Sequence, residues 1–400
     1  MIAPGIAPLN GLRVLDASRV LAGPFCGQTL ADLGAEVIKL ERPALPDETR
    51  SWGPPWHDDL SAYYLACNRG KKALTLDLAK PEGMALCKEL LAHCDVLLEN
   101  FLPASARKLG LDAATLHTTL PRLIICSISG YGHTGPWADK PGYDFALQAQ
   151  CGLMNITGPI EGPPFKVGVA ITDVLAGLYA AIGILACVRA RQSSGHGYAL
   201  DISLLDCAVA AQVNVVQAFL TSGQVPTRQG NAHLQIVPYQ LFETSDSHIV
   251  LAVGNDGQWR RFCASVQRPD LADDERFKTN PQRVKNRLAL IPLLLPILKS
   301  RTSAAWEGLL TTAEVPHSRV CDYEQLFAHP QAQARGLRMQ VKDPAGKPVD
   351  LVRSPFRIDG TMLADGSMPP RVGQHTDEVL RTFLKLTPER LRELKAQGVI

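Results

Sequence analysis

Short β-rich runs alternate with helical patterns along the N-terminal third of the chain. The β-rich runs are residues 13–16, 36–40, 73–78, 95–98 and 122–127. Helical patterns lie between them, for example over 24–34 and 81–93. Parallel strands need long crossover connections, which are usually helices, so this alternation predicts an α/β fold with a mostly parallel sheet.

The remainder of the chain shows one linker and one change of pattern. Residues 222–228 contain Gly223 and Pro226 and lack apolar periodicity, which is typical of a linker. Before the linker come helical patterns over 143–152 and after Asp173, a strand over 198–202 and a helix over 204–221. After the linker come strands over 239–243 and 248–253 and helices over 258–314. The pattern then changes to a β-hairpin over 339–342 and 349–352, followed by a charged helix over 377–397. We therefore expect boundaries near 222–229 and near 322.

Charge and composition exclude several classes of protein. The chain has 41 Lys and Arg residues against 39 acidic residues, a formal charge of +2. This balance argues against a nucleic-acid partner or binding to a membrane surface. Its ten cysteines contain no Cys-x-x-Cys pair, so we expect no metal and a reduced, cytoplasmic compartment.

No membrane span or leader peptide is expected. The longest apolar run, Val174–Val188, is shorter than the roughly 20 residues needed to cross a bilayer and predicts a buried helix. Residues 1–10 contain two prolines and no basic segment followed by an apolar stretch, which disfavours a signal peptide.

Three common cofactor or nucleophile motifs are missing from the sequence. Residues 17–24 follow the first strand without a Gly-x-Gly-x-x-Gly pattern, so a nicotinamide cofactor is not expected. The chain also lacks a Gly-x-x-x-x-Gly-Lys-Ser/Thr loop and a Gly-x-Ser-x-Gly turn, which are the usual signatures of phosphoryl transfer and serine hydrolysis.

Asp173 stands between the segment 167–172 and a wholly apolar helix, where an unpaired carboxylate is unfavourable. One interpretation is a helix N-cap, because Asp is a favoured capping residue. The other is a nucleophile, which the same position would keep ionised. The two interpretations are compatible.

Other polar groups are candidates for the same site. Tyr143, within Gly142-Tyr143-Asp144, could place a phenol near a carboxylate or an oxyanion, although a core tyrosine is the simpler reading. The loop 254–257 after a strand could bring bare backbone N–H groups to an anion, or be a plain turn. Cations that recur near strand ends would suit phosphates if they converge; they are Arg19, Arg42, Arg69, Lys71, Lys72, Arg107 and Lys108.

Several short segments follow one another along the chain: Arg19–Pro24, Leu33–Arg42, Glu99-Asn100-Phe101, Gly130-Tyr131-Gly132, Gly142-Tyr143-Asp144, Asp173 and Gly373–Asp377. Taken in order, these segments resemble the class III CoA-transferases. Each segment is a weak signal, but all of them in register are a strong one.

The resemblance implies a mechanism and a set of site residues. Asp173 would attack an acyl-CoA to form a mixed anhydride, which CoA then converts to an aspartyl-CoA thioester. Tyr143 and Asp144 would act on the substrate side, and Gly254 and Asn255 would belong to an active-site loop. The implied contacts to coenzyme A are Val20, Ala22, Arg42, Leu76, Asn100, Phe101 and Lys108.

The resemblance also implies an architecture. It is a Rossmann-like large domain built from both chain ends (1–222 and 323–400), a smaller α+β domain (229–322), and an interlinked homodimer.

Alternatives remain open at this point. The related 2-methylacyl-CoA racemases share the fold and use a histidine where this chain has Tyr143, and a tyrosine is a poor substitute for a base that titrates near pH 7. A NAD-dependent dehydrogenase and a catalytically silent CoA-binding protein are further alternatives.

The segments 132–136, 140–144 and 253–256 resemble the branch that uses succinyl-CoA and dicarboxylic acids. Glutarate, hydroxymethylglutarate, itaconate, mesaconate and citramalate are all candidate acceptors. His233, Arg69 or Arg19 could bind a second carboxylate.

Overall fold

The computed structural model describes residues 6–363 and 366–400. The described parts of Met1–Leu153, Val167–Ser222 and Gln333–Ile400 form a large compact unit, and Met154–Lys166 with Gly223–Ala332 forms a smaller one. The large unit therefore contains both ends of the described chain. The predicted division into one domain built from 1–222 and 323–400 and another built from 229–322 stays a prediction.

A six-stranded sheet with only parallel pairings lies at the centre of the large unit. Its strands are β1 (Arg13–Asp16), β2 (Glu36–Glu41), β5 (Lys71–Thr75), β6 (Val96–Glu99), β7 (Ile124–Ser129) and β8 (Ala199–Ser203). The order β5-β2-β1-β6-β7-β8 is that of the Rossmann fold. The predicted α/β fold with a mostly parallel sheet is thus confirmed.

The helices of the large unit connect and cover these strands. They are α1 (Ala22–Asp32), α2 (Ala62–Cys67), α3 (Pro81–Leu91), α4 (Pro103–Leu109), α5 (Ala113–Leu116), α6 (Asp144–Gln150), α8 (Ile171–Ser194), α9 (Leu204–Ala210), α10 (Val213–Ser222), α18 (Thr376–Leu384) and α19 (Pro388–Ala396), with a 3-10 helix at Glu48–Ser51. The short helices α7 (Leu153–Ile156) and α17 (Pro330–Ala334) lie at the boundaries between the units.

Three two-stranded antiparallel sheets also belong to the large unit. They pair β3 (Trp56–His57) with β4 (Leu60–Ser61), β12 (Arg338–Lys342) with β13 (Pro348–Val352), and β14 (Arg357–Ile358) with β15 (Thr361–Met362). The second pair confirms the hairpin predicted from the sequence.

Two hydrophobic cores lie on opposite faces of the parallel sheet, because successive strand residues point to opposite sides. Val14 of β1 belongs to the core that α1 and α8 cover. Leu15, the next residue, belongs to the core that α3, α18 and α19 cover. The C-terminal helices are therefore part of the large unit's interior.

The small unit combines an antiparallel sheet with a helical cluster. Its elements are β9 (Tyr239–Glu243), β10 (His248–Ala252), β11 (His317–Arg319), α11 (Asp256–Ser265), α12 (Pro269–Asp273), α13 (Asn280–Lys285), α14 (Arg287–Lys299), α15 (Ser303–Thr312) and α16 (Tyr323–Ala328). Buried aromatic residues such as Trp259, Phe262 and Trp306 fill its core. The two β-rich runs predicted after the linker are confirmed.

Two helices predicted as continuous are broken in the structure. The helix expected over 204–221 is α9 and α10, which meet at 78°, and Val213 has a left-handed φ of 27° at the break. The helix expected over 377–397 is α18 and α19. Lys385 has a φ of 55°, and Pro388 starts the second helix because it has no N–H to donate to a preceding turn.

Helix α8 is longer than the apolar run suggested. It has 24 residues, and an 18-residue window has a mean hydropathy of 2.0, so by length and composition alone it is able to cross a membrane. A third of that window is buried, since one side packs on α1, β7 and β8. The prediction of a buried helix therefore holds for one side of α8.

The segment before α18 closes the free edge of the parallel sheet. The His375 backbone N–H donates to the Ala73 carbonyl of β5 at 2.9 Å, and the Ala73 N–H donates to His375 Nδ1 at 3.1 Å. The Thr75 N–H donates to Thr376 Oγ1 at 3.0 Å. Side chains of the Gly373–Asp377 motif thus satisfy backbone groups that an edge strand leaves open.

Candidate active site

The loops after β1 and β6 meet where the order of the sheet reverses, which is the usual place for a ligand crevice in such folds. The Arg19 N–H donates to Asn100 Oδ1 at 3.1 Å, and Asn100 Nδ2 donates to the Arg19 carbonyl at 2.9 Å. The two loops are therefore fixed to each other. Three residues implied as coenzyme A contacts, Val20, Ala22 and Asn100, lie on them.

Val20 has a strained backbone. Its φ is +71°, a left-handed value that is unfavourable for a β-branched residue. Its N–H faces both carboxylate oxygens of Asp47 at 3.3 Å, and Lys39 Nζ donates to Asp47 at 2.8 Å in a buried ion pair. Asp47 and Lys39, which sequence reasoning did not identify, hold this loop in place. Such strain costs about 1–3 kcal/mol and is concentrated at functional sites.

Asp173 lies in the first turn of α8, next to the start of α1. A Cβ at Gly177, one turn further on, would lie 2.6 Å from the Ala22 carbonyl oxygen, so only glycine allows this close approach. The N-cap residue is Ala170 and Asp173 is the third residue of the helix. The capping interpretation of Asp173 was therefore wrong, because the helix begins earlier than the sequence suggested.

Burial raises the pKa of Asp173 to about 7. The negative charge of Asp144 raises the pKa further, and a hydrogen bond from the Ala22 backbone N–H opposes the shift. The expectation that the helix terminus keeps this carboxyl ionised was too simple, because desolvation is the largest effect. A carboxyl with a pKa near 7 is half ionised at neutral pH.

Asp144 bonds to the same helix turn from outside. Its Oδ1 accepts hydrogen bonds from the Thr172 backbone N–H and from Thr172 Oγ1, both at 2.9 Å. Its Oδ2 accepts from Gln148 Nε2 at 2.8 Å. The segment is held by a tight contact of Gly130 with Gly142, where an added Cβ would come within 2.7 Å of backbone. This contact explains why both motif positions are glycines.

Tyr143 and Tyr63 differ in their surroundings. Tyr143 precedes α6 and is 61% exposed. Tyr63 on α2, which the sequence did not signal, is partly buried beside Trp52, with ring centroids 5.0 Å apart. Burial raises its pKa to about 12, and the charges of Asp173 and Asp144 contribute. Tyr63 therefore belongs to the group of side chains around Asp173.

The other residues implied as coenzyme A contacts lie in the large unit with different exposures. Arg42 follows β2 and is half exposed, 3.4 Å from Asp77. Lys108 on α4 is exposed, and Phe101 packs partly against a core. Leu76 is 1% exposed and belongs to that core. Its side chain therefore has little surface to offer a ligand.

Two of the candidate cations are committed to buried ion pairs. Arg69 pairs with Asp32 and also donates to the Val352 carbonyl. Lys71 pairs with Asp16 at 2.8 Å. Since both lie inside the fold, these two do not belong to a set of cations that could converge on phosphates. Arg69 is not available for a second carboxylate, whereas Arg19 is exposed.

In the small unit, the loop after β10 makes local hydrogen bonds with the first turn of α11. Asn255 caps α11 by accepting from the Gln258 N–H at 2.9 Å, and the Gly254 N–H donates to Gln258 Oε1 at 2.7 Å. The N–H of Gly254 is therefore not bare, which fits the plain turn that the sequence also allowed. His233 belongs to the same unit and its Nδ1 accepts from the Gln235 N–H at 3.0 Å.

A second carboxyl with a raised pKa lines a small cavity beside the crevice. Burial raises the pKa of Glu99 to about 7. Ser127 and Asp201 lie next to it on neighbouring strands and line the same cavity of about 90 Å³. The Phe101 N–H donates to Glu99 Oε2 at 2.7 Å.

One group of metal-ligating side chains lies together within residues 6–363 and 366–400. His57, Asp58 and Asp343 offer ligand atoms within 4.8 Å of one another. Arg371 lies 3.6 Å from Asp58, so a cation already balances part of this group. The expectation of no bound metal stays a prediction.

Comparison with known proteins places the whole chain among related sequences. The sequence model of a family described as CoA-transferase family III matches residues 9–376. The chain is 39% identical over 395 residues to the succinyl-CoA:glutarate CoA-transferase of Homo sapiens, covering 99% of this chain and 90% of that protein. It is 42% identical over 384 residues to the succinate–glutarate CoA-transferase of Agrobacterium fabrum, covering 93% and 95%. It is 34% identical to the succinyl-CoA–D-citramalate CoA-transferase of Chloroflexus aurantiacus, covering 98% of each chain.

Solved structures agree with these sequence matches. A CAIB/BAIF family protein from Brucella suis has a TM-score of 0.83 and 41% identity, over 94% of this chain and 99% of that one. Rv3272 from M. tuberculosis has a TM-score of 0.83 and 29% identity, over 93% and 99%.

Proposed function

This chain belongs to CoA-transferase family III, and from that premise we propose that it moves coenzyme A from succinyl-CoA to a dicarboxylic acid through a covalent intermediate on Asp173. The carboxyl of Asp173 is the observation that carries the proposal. It is partly buried, it accepts from the Ala22 N–H, and no cationic side chain among the described residues is paired with it. A carboxylate without a cationic partner retains its nucleophilicity.

The proposed reaction has two symmetrical halves. The Asp173 carboxylate attacks the thioester carbonyl of the donor and the C–S bond breaks. CoA leaves as a thiolate, and a mixed anhydride between Asp173 and the donor acid remains. The thiolate attacks the aspartyl carbonyl and releases the donor acid as a carboxylate. The acceptor carboxylate then attacks the aspartyl-CoA thioester, and the released thiolate attacks the new anhydride at the acceptor carbonyl. Acyl-CoA forms, Asp173 is regenerated, and no proton is gained or lost overall.

A carboxyl nucleophile suits this exchange because it conserves the energy of the acyl group. The anhydride and thioester intermediates remain reactive toward thiolate and carboxylate, whereas a serine would form a more stable ester. The Ala22 N–H at the start of α1 would stabilise negative charge on the aspartyl group.

The choice of substrate rests on the relatives. Those from Homo sapiens and Agrobacterium fabrum are named for succinate or succinyl-CoA and glutarate, and the one from Chloroflexus aurantiacus for succinyl-CoA and D-citramalate. All the named acids are dicarboxylic, which supports a dicarboxylic acceptor here. The exposed side chain of Arg19 on the crevice loop suits the second carboxylate.

The remaining site residues have proposed roles. Val20, Ala22, Asn100 and Phe101 would line the coenzyme A crevice, with Arg42 and Lys108 at its phosphates. Leu76 would support the crevice floor from the core. Tyr143 would face the acyl group, and the loop with Gly254 and Asn255 would belong to the active site.

A homodimer is proposed because the large unit exposes several large apolar side chains on α8, α9 and α10. They are Leu178, Tyr179, Ile182, Val209, Val213, Phe219 and Leu220. Apolar surface of this kind marks an interaction face. We place the protein in the cytoplasm and expect no metal and no nicotinamide among its cofactors.

Intact-mass analysis is the experiment that tests this function. The protein is incubated with succinyl-CoA, trapped with hydroxylamine or borohydride, and the modified peptide is mapped. Modification at Asp173 is the expected result. An unmodified protein that exchanges solvent deuterium into the α-position of an acyl-CoA would instead point to racemase chemistry.

The variant Asp173→Asn provides the matched test of the nucleophile. The change is nearly isosteric and removes the charge, so we expect transfer to fall by at least about 1,000-fold while CoA binding remains. Because ionising a buried carboxyl is unfavourable, its thermal stability at pH 8 should equal or exceed that of the parent. Substantial turnover in freshly prepared protein, with deamidation excluded, would contradict the covalent role.

A further inference from the structure

Helix α8 begins without a capping side chain of its own. Its N-cap residue is Ala170, which has no polar side-chain atom, and no side-chain hydrogen bond is made there. The first N–H groups of any helix lack partners within the helix. The N–H of Thr172, the second residue of α8, is such a group, and Thr172 is 0% exposed. A buried N–H requires an acceptor from elsewhere.

Asp144 of α6 supplies that acceptor across the site. Its Oδ1 accepts from the Thr172 N–H and from Thr172 Oγ1, each at 2.9 Å. This is the geometry of an N-cap, but the capping residue is 28 positions away in the sequence. The next residue after Thr172 is Asp173.

The carboxylate of Asp144 is itself held in one orientation. Its Oδ2 accepts from Gln148 Nε2 at 2.8 Å, and Gln148 Oε1 accepts from the Val167 N–H at 2.8 Å. Gln148 is 0% exposed, so it has no solvent alternative. Three of the roughly four acceptor positions of the Asp144 carboxylate are therefore used inside the protein.

We infer that Asp144 is a positioning residue, which caps α8 from outside and fixes the direction of the Asp173 carboxyl instead of binding the acyl group. This inference rests on the proposed function for its catalytic consequence. It replaces the substrate-side role that the sequence resemblance implied for Asp144.

Two variants separate the cap from the charge. Asp144→Asn keeps an acceptor for Thr172 but removes the negative charge facing Asp173. Asp144→Ala removes both. Since a displaced reacting group costs on the order of 100-fold in rate, we expect Asp144→Ala to lower kcat by about that factor with little change in KM for the acid. Asp144→Asn should retain most of kcat and shift the acid limb of the kcat/KM profile to lower pH.

The shift in pH has a definite sign. Among the residues that the structure describes, Asp144 and the phenol of Tyr63 on α2 are the titratable groups that face Asp173, and the Ala22 N–H of α1 donates to it. Removing the negative charge of Asp144 makes ionisation of Asp173 easier, so the pKa of Asp173 falls and half-ionisation occurs at lower pH. A purely structural residue would leave the position of the limb unchanged.

Thr172 provides the other half of the test. Thr172→Val removes the hydrogen bond that the Thr172 hydroxyl donates to Asp144, and Thr172→Ser keeps it. We expect kcat to fall about tenfold in the valine variant and by less than about threefold in the serine variant. Combining Thr172→Val with Asp144→Ala should cost little beyond Asp144→Ala alone, since both changes remove one interaction. As a matched control, Asp206→Asn, an exposed first-turn aspartate of α9, should leave kcat within about twofold.

Hydrogen exchange of the α8 amides distinguishes failure of this inference from failure of the proposed function. Exchange at Thr172 and Asp173 should accelerate at least about tenfold in Asp144→Ala and stay near the parent rate in Asp144→Asn, whatever reaction the protein catalyses. Unchanged exchange in Asp144→Ala would overturn the cap. Additive rate losses in the double variant, together with a selective rise in KM for the acid, would restore a substrate contact for Asp144.

Discussion

At the scale of single residues, burial of the Asp173 carboxyl sets the pH range of the proposed chemistry. Its pKa is raised to about 7, and only the ionised form is a nucleophile. We therefore predict that kcat/KM rises with pH through about 7 and then levels off. Initial rates with succinyl-CoA and a dicarboxylic acid, measured from pH 5 to 9, test this.

The variant Glu99→Gln is the control for that profile. Glu99 has a similarly raised pKa of about 7, but it lines the cavity beside the crevice. The acid limb should persist in this variant because Asp173 is unaltered. If the acid limb were lost in Glu99→Gln, the titration would belong to Glu99 and the prediction for Asp173 would be contradicted.

Residue identities were only partly readable from the sequence. Asp173 stood out because a charged residue beside an apolar helix is unusual. The raised pKa of Asp173 could not be predicted, because desolvation depends on the helices that surround the carboxyl. Thr172, Gln148 and Tyr63 carried no signal, because each acquires its role from a neighbour distant in the sequence.

At the scale of secondary-structure elements, the contact of α1 with α8 depends on Gly177. An alanine inside a helix normally stabilises it by up to about 1 kcal/mol relative to glycine. Here an added Cβ would lie 2.6 Å from the Ala22 carbonyl oxygen. We predict that Gly177→Ala lowers the free energy of unfolding by about 1–3 kcal/mol and reduces kcat by separating Asp173 from Ala22.

The control for this prediction is Gly308→Ala in α15, where a Cβ would meet nothing within 4 Å. Chemical denaturation and initial rates should show a neutral or slightly stabilised protein with the parent activity. Equal destabilisation by both changes would mean that the close approach of the two helices is not the cause.

The segment that closes the sheet edge should respond to pH. Burial lowers the pKa of His375, Glu378 raises it and Lys72 lowers it. The neutral ring accepts a hydrogen bond at Nδ1, so protonation is less favourable in the folded state than in the unfolded state. Stability should therefore decrease as pH falls below about 6.5, the ordinary value for histidine.

His375→Asn tests this by keeping an acceptor that does not titrate. The free energy of unfolding is measured between pH 5 and 8 for both proteins. Other titrating groups contribute equally to each, so the difference between the two curves isolates His375. Parallel curves would show that protonation of His375 does not change the free energy of unfolding.

Secondary structure was predictable where patterning is local. The strand alternation and the hairpin over 338–352 follow from periodicity and turn residues. The breaks between α9 and α10 and at Lys385 were missed because non-glycine residues adopt left-handed backbone there. The capping of α8 by Asp144 was also unpredictable from local patterns, because the two residues in contact are 28 positions apart.

At the scale of the whole molecule, the exposed apolar face of α8, α9 and α10 predicts a dimer. The variants Ile182→Lys and Leu220→Lys place charges at positions that are 62% and 67% exposed. Burying an unpaired charge in an interface is strongly unfavourable. We therefore expect each variant to form less dimer than the parent protein, which analytical ultracentrifugation at micromolar concentration would show.

Leu288→Lys is the matched control, because Leu288 is 90% exposed on α14 of the small unit. It should sediment as the parent protein does. If all three variants remained dimeric, the interface would have to lie elsewhere.

The large unit is completed by the last part of the chain. Its core contains leucines of α18 and α19, and its edge strand β5 is covered by His375 and Thr376. During synthesis on the ribosome, β5 emerges long before these residues do. The nascent chain therefore presents an unprotected strand edge until residues 375 and 376 have been synthesised, and an open edge of this kind can pair with another strand.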